Sequence, residues 1–233
     1  MRPPANWRCF SGTTRAEFLD RLDSKTKRTR MNITALLCIL GSYLLGAIPF
    51  GLLLSRSSGI DIRTQGSRNI GATNVARLLG KKKGALTLGL DMFKGYLPMF
   101  VAALLMQTDP HRDLIIALCG AATVLGHMFP VYLRFKGGKG VATALGAFLF
   151  LAPLAVLGCL LVFVAVVYLS GFVSLGSLLG SLSILLWLLL LQVPAWKMGL
   201  AAFIVLMIWV KHHQNIGRLL RGTEKTWKKK AEA

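Results

Sequence analysis

Residues 141–170 read V-A-T-A-L-G-A-F-L-F-L-A-P-L-A-V-L-G-C-L-L-V-F-V-A-V-V-Y-L-S. No position in this run carries a charge, and apolar character continues almost unbroken over about 140–210. A stretch of this length suits lipid rather than the interior of a soluble domain. Working outward, further apolar segments occupy about 33–55, 84–105 and 113–133, separated by short polar connections. The 233-residue chain is 54 % hydrophobic with a mean hydropathy of +0.58, too apolar for an ordinary soluble domain. The pattern predicts an all-α fold: a polytopic integral membrane protein of about seven transmembrane helices. No soluble domain fits between the spans, so any activity must be built from helix ends and loops.

Charge asymmetry orients the spans. Loop 56–83 holds seven Lys/Arg and one acid, loop 134–139 three Lys/Arg and no acid, and the tail 211–233 seven Lys/Arg and two acids. The connection 106–112 holds one Arg and one Asp. The positive-inside rule places the three basic regions in the cytosol and 106–112 outside. Two crossings of the 140–210 stretch would take about 35 residues each, against about 20 per span. Three would put the basic tail outside. Four fit, with breaks near Pro153, Ser170-Gly171 and Pro194. The helix over about 140–152 is then short, with a partly re-entrant path open to it. The predicted topology has the N-terminus outside and the C-terminus inside.

Residues 1–30 carry eight Lys/Arg against three Asp/Glu and no long apolar run. They read as a disordered basic extension, or as an artefact of the assigned start with Met31 the true first residue. An outside N-terminus conflicts with their charge and favours Met31. Residues 31–225 form one membrane domain in this reading, and 226–233 a basic tail. The formal charge of +19 lies almost wholly in loops and tails. Contact with anionic lipid accounts for it, and no nucleic-acid module is present. Cys9, Cys38, Cys119 and Cys159 form no C-x-x-C pair, so neither a zinc site nor a disulfide framework is indicated. The Asn32-Ile33-Thr34 sequon abuts a span and reads as chance.

Two polar stretches stand out between the spans. The first, D-I-R-T-Q-G-S-R-N-I-G-A-T-N-V-A-R, covers 61–77. Gly66, Gly71 and Ala72 permit close backbone approach. Ser67, Asn69, Thr73 and Asn74 offer hydrogen bonds, and Arg68 and Arg77 offer charge. The stretch leads into a helix, whose first amides can face an anion. The second, R-F-K-G-G-K-G, covers 134–140. Gly137, Gly138 and Gly140 can expose successive amides while Lys139 adds a point charge. Both stretches fit phosphate, handled at a membrane surface. After the last span, His212 and Asn215 share a helical face, with Arg218, Gly222 and Glu224 beyond them. A His there can act as general base, and an Asn can orient a hydroxyl. His127, in G-H-M-F-P, reads as structural. Asp91 and Lys94, spaced i, i+3 within an apolar segment, form a pair that neutralises itself near an interface or marks a functional site. Walker A, H-x-x-x-x-D, G-x-S-x-G, H-E-x-x-H and dinucleotide motifs are absent from the sequence.

Three motifs together resemble the PlsY family of bacterial acyl-phosphate:glycerol-3-phosphate acyltransferases. They are G-S-R-N-I-G-A-T-N-V-A-R at 66–77, G-H-M-F-P-V-Y-L-R-F-K-G-G-K-G at 126–140 and H-x-x-N-I-G-R-L-L-R-G-T-E at 212–224. The resemblance spans about 31–225. The family often has Gly where this chain has Arg68, which adds a charge beside the site.

The resemblance implies a seven-helix enzyme of the bacterial inner membrane, with its active site facing the cytosol. It implies acyl transfer from acyl-phosphate to the 1-hydroxyl of glycerol 3-phosphate. The products would be lysophosphatidic acid and inorganic phosphate, at the entry to phospholipid synthesis. No cofactor and no metal are implied. By motif match, Ser67, Arg77, Lys139, His212 and Asn215 lie at the active site, and Ser177 is a further member. His212, Asn215 and Ser67 are the expected catalytic residues. Arg77, Lys139, Ser177, Asn69, Gly71, Ala72, Thr73, Asn74, Gly137, Gly138 and Gly140 are expected to bind substrate. The expected partners are glycerol 3-phosphate, acyl-phosphate and membrane lipid, with a functional link to the acyltransferase that forms acyl-phosphate.

The residues agree with this chemistry. Two phosphate-bearing substrates call for two anion cradles. An activated mixed anhydride needs no covalent nucleophile, so alignment and charge neutralisation carry much of the rate. The expected base is His212 or the substrate's own phosphate. The competing class is a transporter or flippase for an anionic phosphorylated solute, which the intramembrane glycines and the Asp91–Lys94 pair would also suit. A non-catalytic membrane scaffold leaves the polar density of 66–77 unexplained.

Overall fold

The computed structural model describes residues 33–227. The N-terminal extension, the Met31 start and the end of the basic tail lie outside the described residues. The described residues are helical, without strands. Helix α1 (33–47) and α2 (Phe50–Arg56) form one span interrupted at Ile48-Pro49. A short surface helix α3 (Ala72–Leu79) follows, then the long α4 (Lys81–Leu105) and α5 (Arg112–Met128). Next come α6 (Val141–Leu151), α7 (Pro153–Ser170), α8 (Val173–Leu190) and α9 (Ala195–Lys211). The last helix, α10 (His213–Leu220), bends 59° away from α9.

The breaks fall where the sequence predicts them. Pro153 opens α7 at its first turn, where a missing N–H costs nothing. Gly171 ends α7 in the left-handed region at φ 78°. Pro194 precedes α9. Five helical segments are long and apolar enough to cross a membrane, and the bent α9–α10 pair is a sixth. The approximate count of seven is reached with α6, whose 11 residues span only about 16 Å at 1.5 Å per residue.

A short span leaves its last carbonyls inside the apolar layer, where an unpartnered carbonyl costs several kcal/mol (about 2–7). Lysines answer this need. Lys197 donates to Leu151 O at the end of α6, at 2.8 Å. Lys211 donates to Met128 O at the end of α5, at 3.0 Å. Lys94 donates to Ile48 O at the α1–α2 interruption, at 2.9 Å. Each cation also meets the negative end of a helix.

Small residues set the closest helix contacts. α6 lies against α4 and α8 against α7. A Cβ on Gly95 would overlap Thr143 O, and one on Gly146 would overlap Met92 O. Gly176 faces Val167 and Phe163 of α7, and Gly180 faces Cys159 and Phe163. Because backbone atoms block the added carbon in the α4–α6 contact, Gly95→Ala or Gly146→Ala should cost about 1–3 kcal/mol. Either should lower the melting temperature of the detergent-solubilised protein. Gly89→Ala, on an open face of the same α4, should leave it unchanged or raise it slightly.

Candidate active site

Four helix junctions meet at one end of the bundle. Lys225 Nζ donates to Gly66 O at 2.8 Å, tying the C-terminal segment to the loop after α2. Lys139, between α5 and α6, donates to Asn215 Oδ1 on α10 at 2.5 Å. Ser174, at the start of α8, donates to Glu224 Oε1 at 2.8 Å. The Trp227 amide donates to Gly171 O, between α7 and α8, at 2.8 Å. All three sequence motifs are therefore neighbours in space, although residues as far as 159 apart in sequence make the contacts.

Glu224 organises this end. One carboxylate oxygen accepts from Ser174 and from Asn215 Nδ2 (2.6 Å), and the other from Arg218 Nε (2.6 Å). Burial works to raise this carboxyl, but hydrogen bonds from Asn215, Arg218 and Ser174 outweigh it and hold the group below its ordinary value. Asn215 lies between a cation and a carboxylate, so its amide has one orientation: nitrogen toward Glu224, oxygen toward Lys139. Burial pushes the Lys139 ammonium down to about 8, with Arg218 and Arg77 adding to the shift and Glu224 opposing it. Arg218 and Lys139 thus lie about the Glu224 carboxylate, with Arg77 beside Lys139 and the Lys225 ammonium on Gly66 O. The excess positive potential is suited to an anion.

His212 caps α9 and is almost fully buried. Its Nδ1 lies 2.8 Å from Ile208 O. A carbonyl can only accept, so Nδ1 carries the proton and Nε2 keeps its lone pair. Lys139 and Glu224 are its charged neighbours.

The loop before α3 is shaped by its asparagines. Asn74 is buried; its Oδ1 accepts the Ser67 amide at 2.8 Å, and its Nδ2 donates to Ile62 O and Gln65 O. Asn69 Oδ1 accepts the Gly71 amide at 2.8 Å. Both were expected to bind substrate; the bonds made here are internal clips between 62 and 74 that fix the shape of the loop. The Ser67 side chain is exposed, and Ala72 and Thr73 begin α3, where amides have no intrahelical partner. Arg68 has φ 58°, a left-handed conformation that costs a non-glycine residue about 1 kcal/mol. This gives a physical reason for glycine at that position in the family.

The K-G-G-K-G glycines also differ from expectation. The Gly138 amide donates to His127 O at 3.0 Å, so it is not available to an anion. A Cβ on Gly137 would overlap His127 O, one on Gly138 the His127 ring, and one on Gly140 the Met128 side chain. These glycines let the loop lie flat on the end of α5 and aim Lys139. Ser177 lies one turn along α8 from Ser174, and its hydroxyl bonds to Val173 O at 2.9 Å. Sequence reasoning passed over Ser174 and Lys225, and named Arg218 and Glu224 beside His212 and Asn215 without giving them a role. Glu224, an acid among basic neighbours, was the available signal; Ser174 has none.

Removing the Glu224 acceptor would strand three buried or half-buried donors. Glu224→Ala should cost about 2–3 kcal/mol and speed amide exchange over 221–227. Because the carboxyl is held below 4.5, this stabilisation should be complete above that pH. It should fade as pH falls through the lowered folded value, which a melting-temperature series in pH checks.

Comparison with known proteins agrees with this geometry. A family model described as glycerol-3-phosphate acyltransferase matches residues 36–222. A glycerol-3-phosphate acyltransferase of Desulfotalea psychrophila is 60 % identical over 189 residues, which is 81 % of this chain and 96 % of that protein. One from Trichlorobacter lovleyi is 47 % identical over 190 residues, covering 82 % and 96 %. Among solved structures, the glycerol 3-phosphate form of PlsY, an integral membrane glycerol 3-phosphate acyltransferase, superposes with a TM-score of 0.79 at 40 % identity. It covers 84 % of this chain and 96 % of its own. Its lysophosphatidic acid form gives 0.78 at 39 %, with the same coverage. On sequence and fold alike, the chain belongs to the glycerol-3-phosphate acyltransferase family.

Proposed function

We propose that this protein transfers a fatty acyl group from acyl-phosphate to the 1-hydroxyl of glycerol 3-phosphate, releasing lysophosphatidic acid and inorganic phosphate. The observation that carries this reading is the Lys139–Asn215–Glu224 chain, set beside Arg77 of α3. It supplies cations for two phosphates and a buried His with a free lone pair. In this reading 31–225 is one acyltransferase domain of the bacterial inner membrane. The basic site end faces the cytosol, where glycerol 3-phosphate and the enzyme that forms acyl-phosphate would be its neighbours.

Arg77 and Lys139 hold the glycerol 3-phosphate phosphate, aided by the Ser67 hydroxyl. The amides of Ala72 and Thr73 at the start of α3 receive the acyl-phosphate; the Gly71 amide, expected to share in this, is taken by Asn69 Oδ1. Lys139 is fixed by Asn215, so the hydroxyl-bearing substrate is fixed in turn. The hydroxyl oxygen attacks the acyl carbonyl carbon, and its proton passes to His212 Nε2 or to the substrate's own phosphate. The tetrahedral intermediate collapses, the bond to the phosphate oxygen breaks, and phosphate leaves stabilised by the surrounding cations. Acyl chains lie between helices, open to lipid. A transporter reading would place its site near the bilayer midplane, whereas these loops gather at one end.

The purified protein should form lysophosphatidic acid from glycerol 3-phosphate with palmitoyl-phosphate and none with palmitoyl-CoA. Lys139→Ala should lower the rate about 100-fold or more. No product with either donor contradicts the reading. Because Lys139 loses its proton above about 8, kcat/KM for glycerol 3-phosphate should fall on the alkaline side with an apparent pKa near that value. Lys139→Arg should move this limb to higher pH, since guanidinium stays charged.

A further inference from the structure

Beneath the K-G-G-K-G loop lies a second ionic group that the proposed chemistry does not use. Asp91 and Lys94 on α4 pair at 3.0 Å, each side chain 2 % exposed. They pair as the sequence suggests, and both side chains are buried within the protein. His127, at the end of α5, sets Nδ1 3.7 Å from the same Asp91 oxygen, and that nitrogen has no hydrogen-bond partner among the described residues. Burying these groups is unfavourable unless they perform a task that apolar residues could not.

Their contacts point two ways. Toward the second loop, His127 presents its carbonyl to the Gly138 amide and its ring to the Gly138 Cα, next to Lys139. Toward the first loop, Lys94 Nζ donates to Ile48 O, 2.9 Å away, and lies 5.6 Å from the Phe50 ring centroid, at the interruption from which α2 leads into 57–71. Lys94 therefore touches the support of the first basic loop, and the carboxylate it pairs with stands 3.7 Å from His127, the support of the second.

We propose that Asp91, Lys94 and His127 are positioning residues that fix Lys139 relative to Arg77 and so set the fit to the phosphate of glycerol 3-phosphate. This rests on the acyltransferase reading above. The group lies behind the loop and touches no substrate; it acts on affinity for one substrate through Gly138.

The test compares wild type, His127→Ala, His127→Asn and the charge-neutral double variant Asp91→Asn/Lys94→Met. KM for each substrate, kcat and melting temperature are measured separately. His127→Ala should raise KM for glycerol 3-phosphate about tenfold, the scale of a sub-ångström misplacement. KM for acyl-phosphate and kcat should stay within about twofold. His127→Asn, whose amide nitrogen can take the place of Nδ1 before Asp91, should recover most of the loss. The double variant should reproduce the His127→Ala pattern without an unpaired buried charge. A normal KM in both His127→Ala and the double variant overturns the positioning role while leaving the acyltransferase reading intact. So does a parallel rise in both KM values that tracks a lowered melting temperature. No product from wild type overturns the reading beneath it as well.

Discussion

A single carboxylate, Glu224, holds the site end together. It accepts hydrogen bonds from α8 through Ser174 and from α10 through Asn215 and Arg218. Its neighbour Lys225 reaches the loop before α3. The strength of these bonds comes from charge in a place with little water, where charge-assisted bonds are roughly twice as strong as neutral ones. Because Glu224 orients Asn215, and Asn215 orients Lys139, the position of the central cation follows from an acid 85 residues away in sequence. The cations outnumber the acid that organises them, and an anionic substrate completes the balance.

The apolar layer imposes the second constraint. Helices that end or break inside it must have their last carbonyls satisfied. Lysines on neighbouring helices do this at Ile48, Leu151 and Met128. Tyr43 does the same at Phe129 O, and the Gly138 amide at His127 O. The three carbonyls at the end of α5 are thus met by α1, α9 and the K-G-G-K-G loop. Packing of the span and placement of the site are one structural problem here.

Much of this was legible in the sequence. Apolar runs, Pro153, Gly171 and Pro194 mark the helices because proline and left-handed glycine act locally. The short α6 also followed from the length of the 140–210 stretch; the bent α9–α10 pair was harder, since a bend is fixed by neighbouring helices. Lys139, Asn215, Ser67 and Arg77 were read as site members from residue type and motif, and the first two are in direct contact. The asparagines and glycines have a structural role that the sequence did not reveal. Asn69 and Asn74 bond within their own loop, and Gly137, Gly138 and Gly140 pack on α5. A polar or glycine-rich composition looks the same whether its groups face a ligand or the protein. Ser174 had no local signal, because its role depends on a partner 50 residues away.

The most direct test is a double-mutant cycle on glycerol 3-phosphate binding, measured by calorimetry for Lys139→Ala, Asn215→Ala and both together. If Asn215 acts by orienting Lys139, the two losses overlap, with a coupling of about 1 kcal/mol or more. Losses that add within about 0.3–0.5 kcal/mol would mean that the two side chains act independently, and would contradict the account of a cation placed by the Glu224 network.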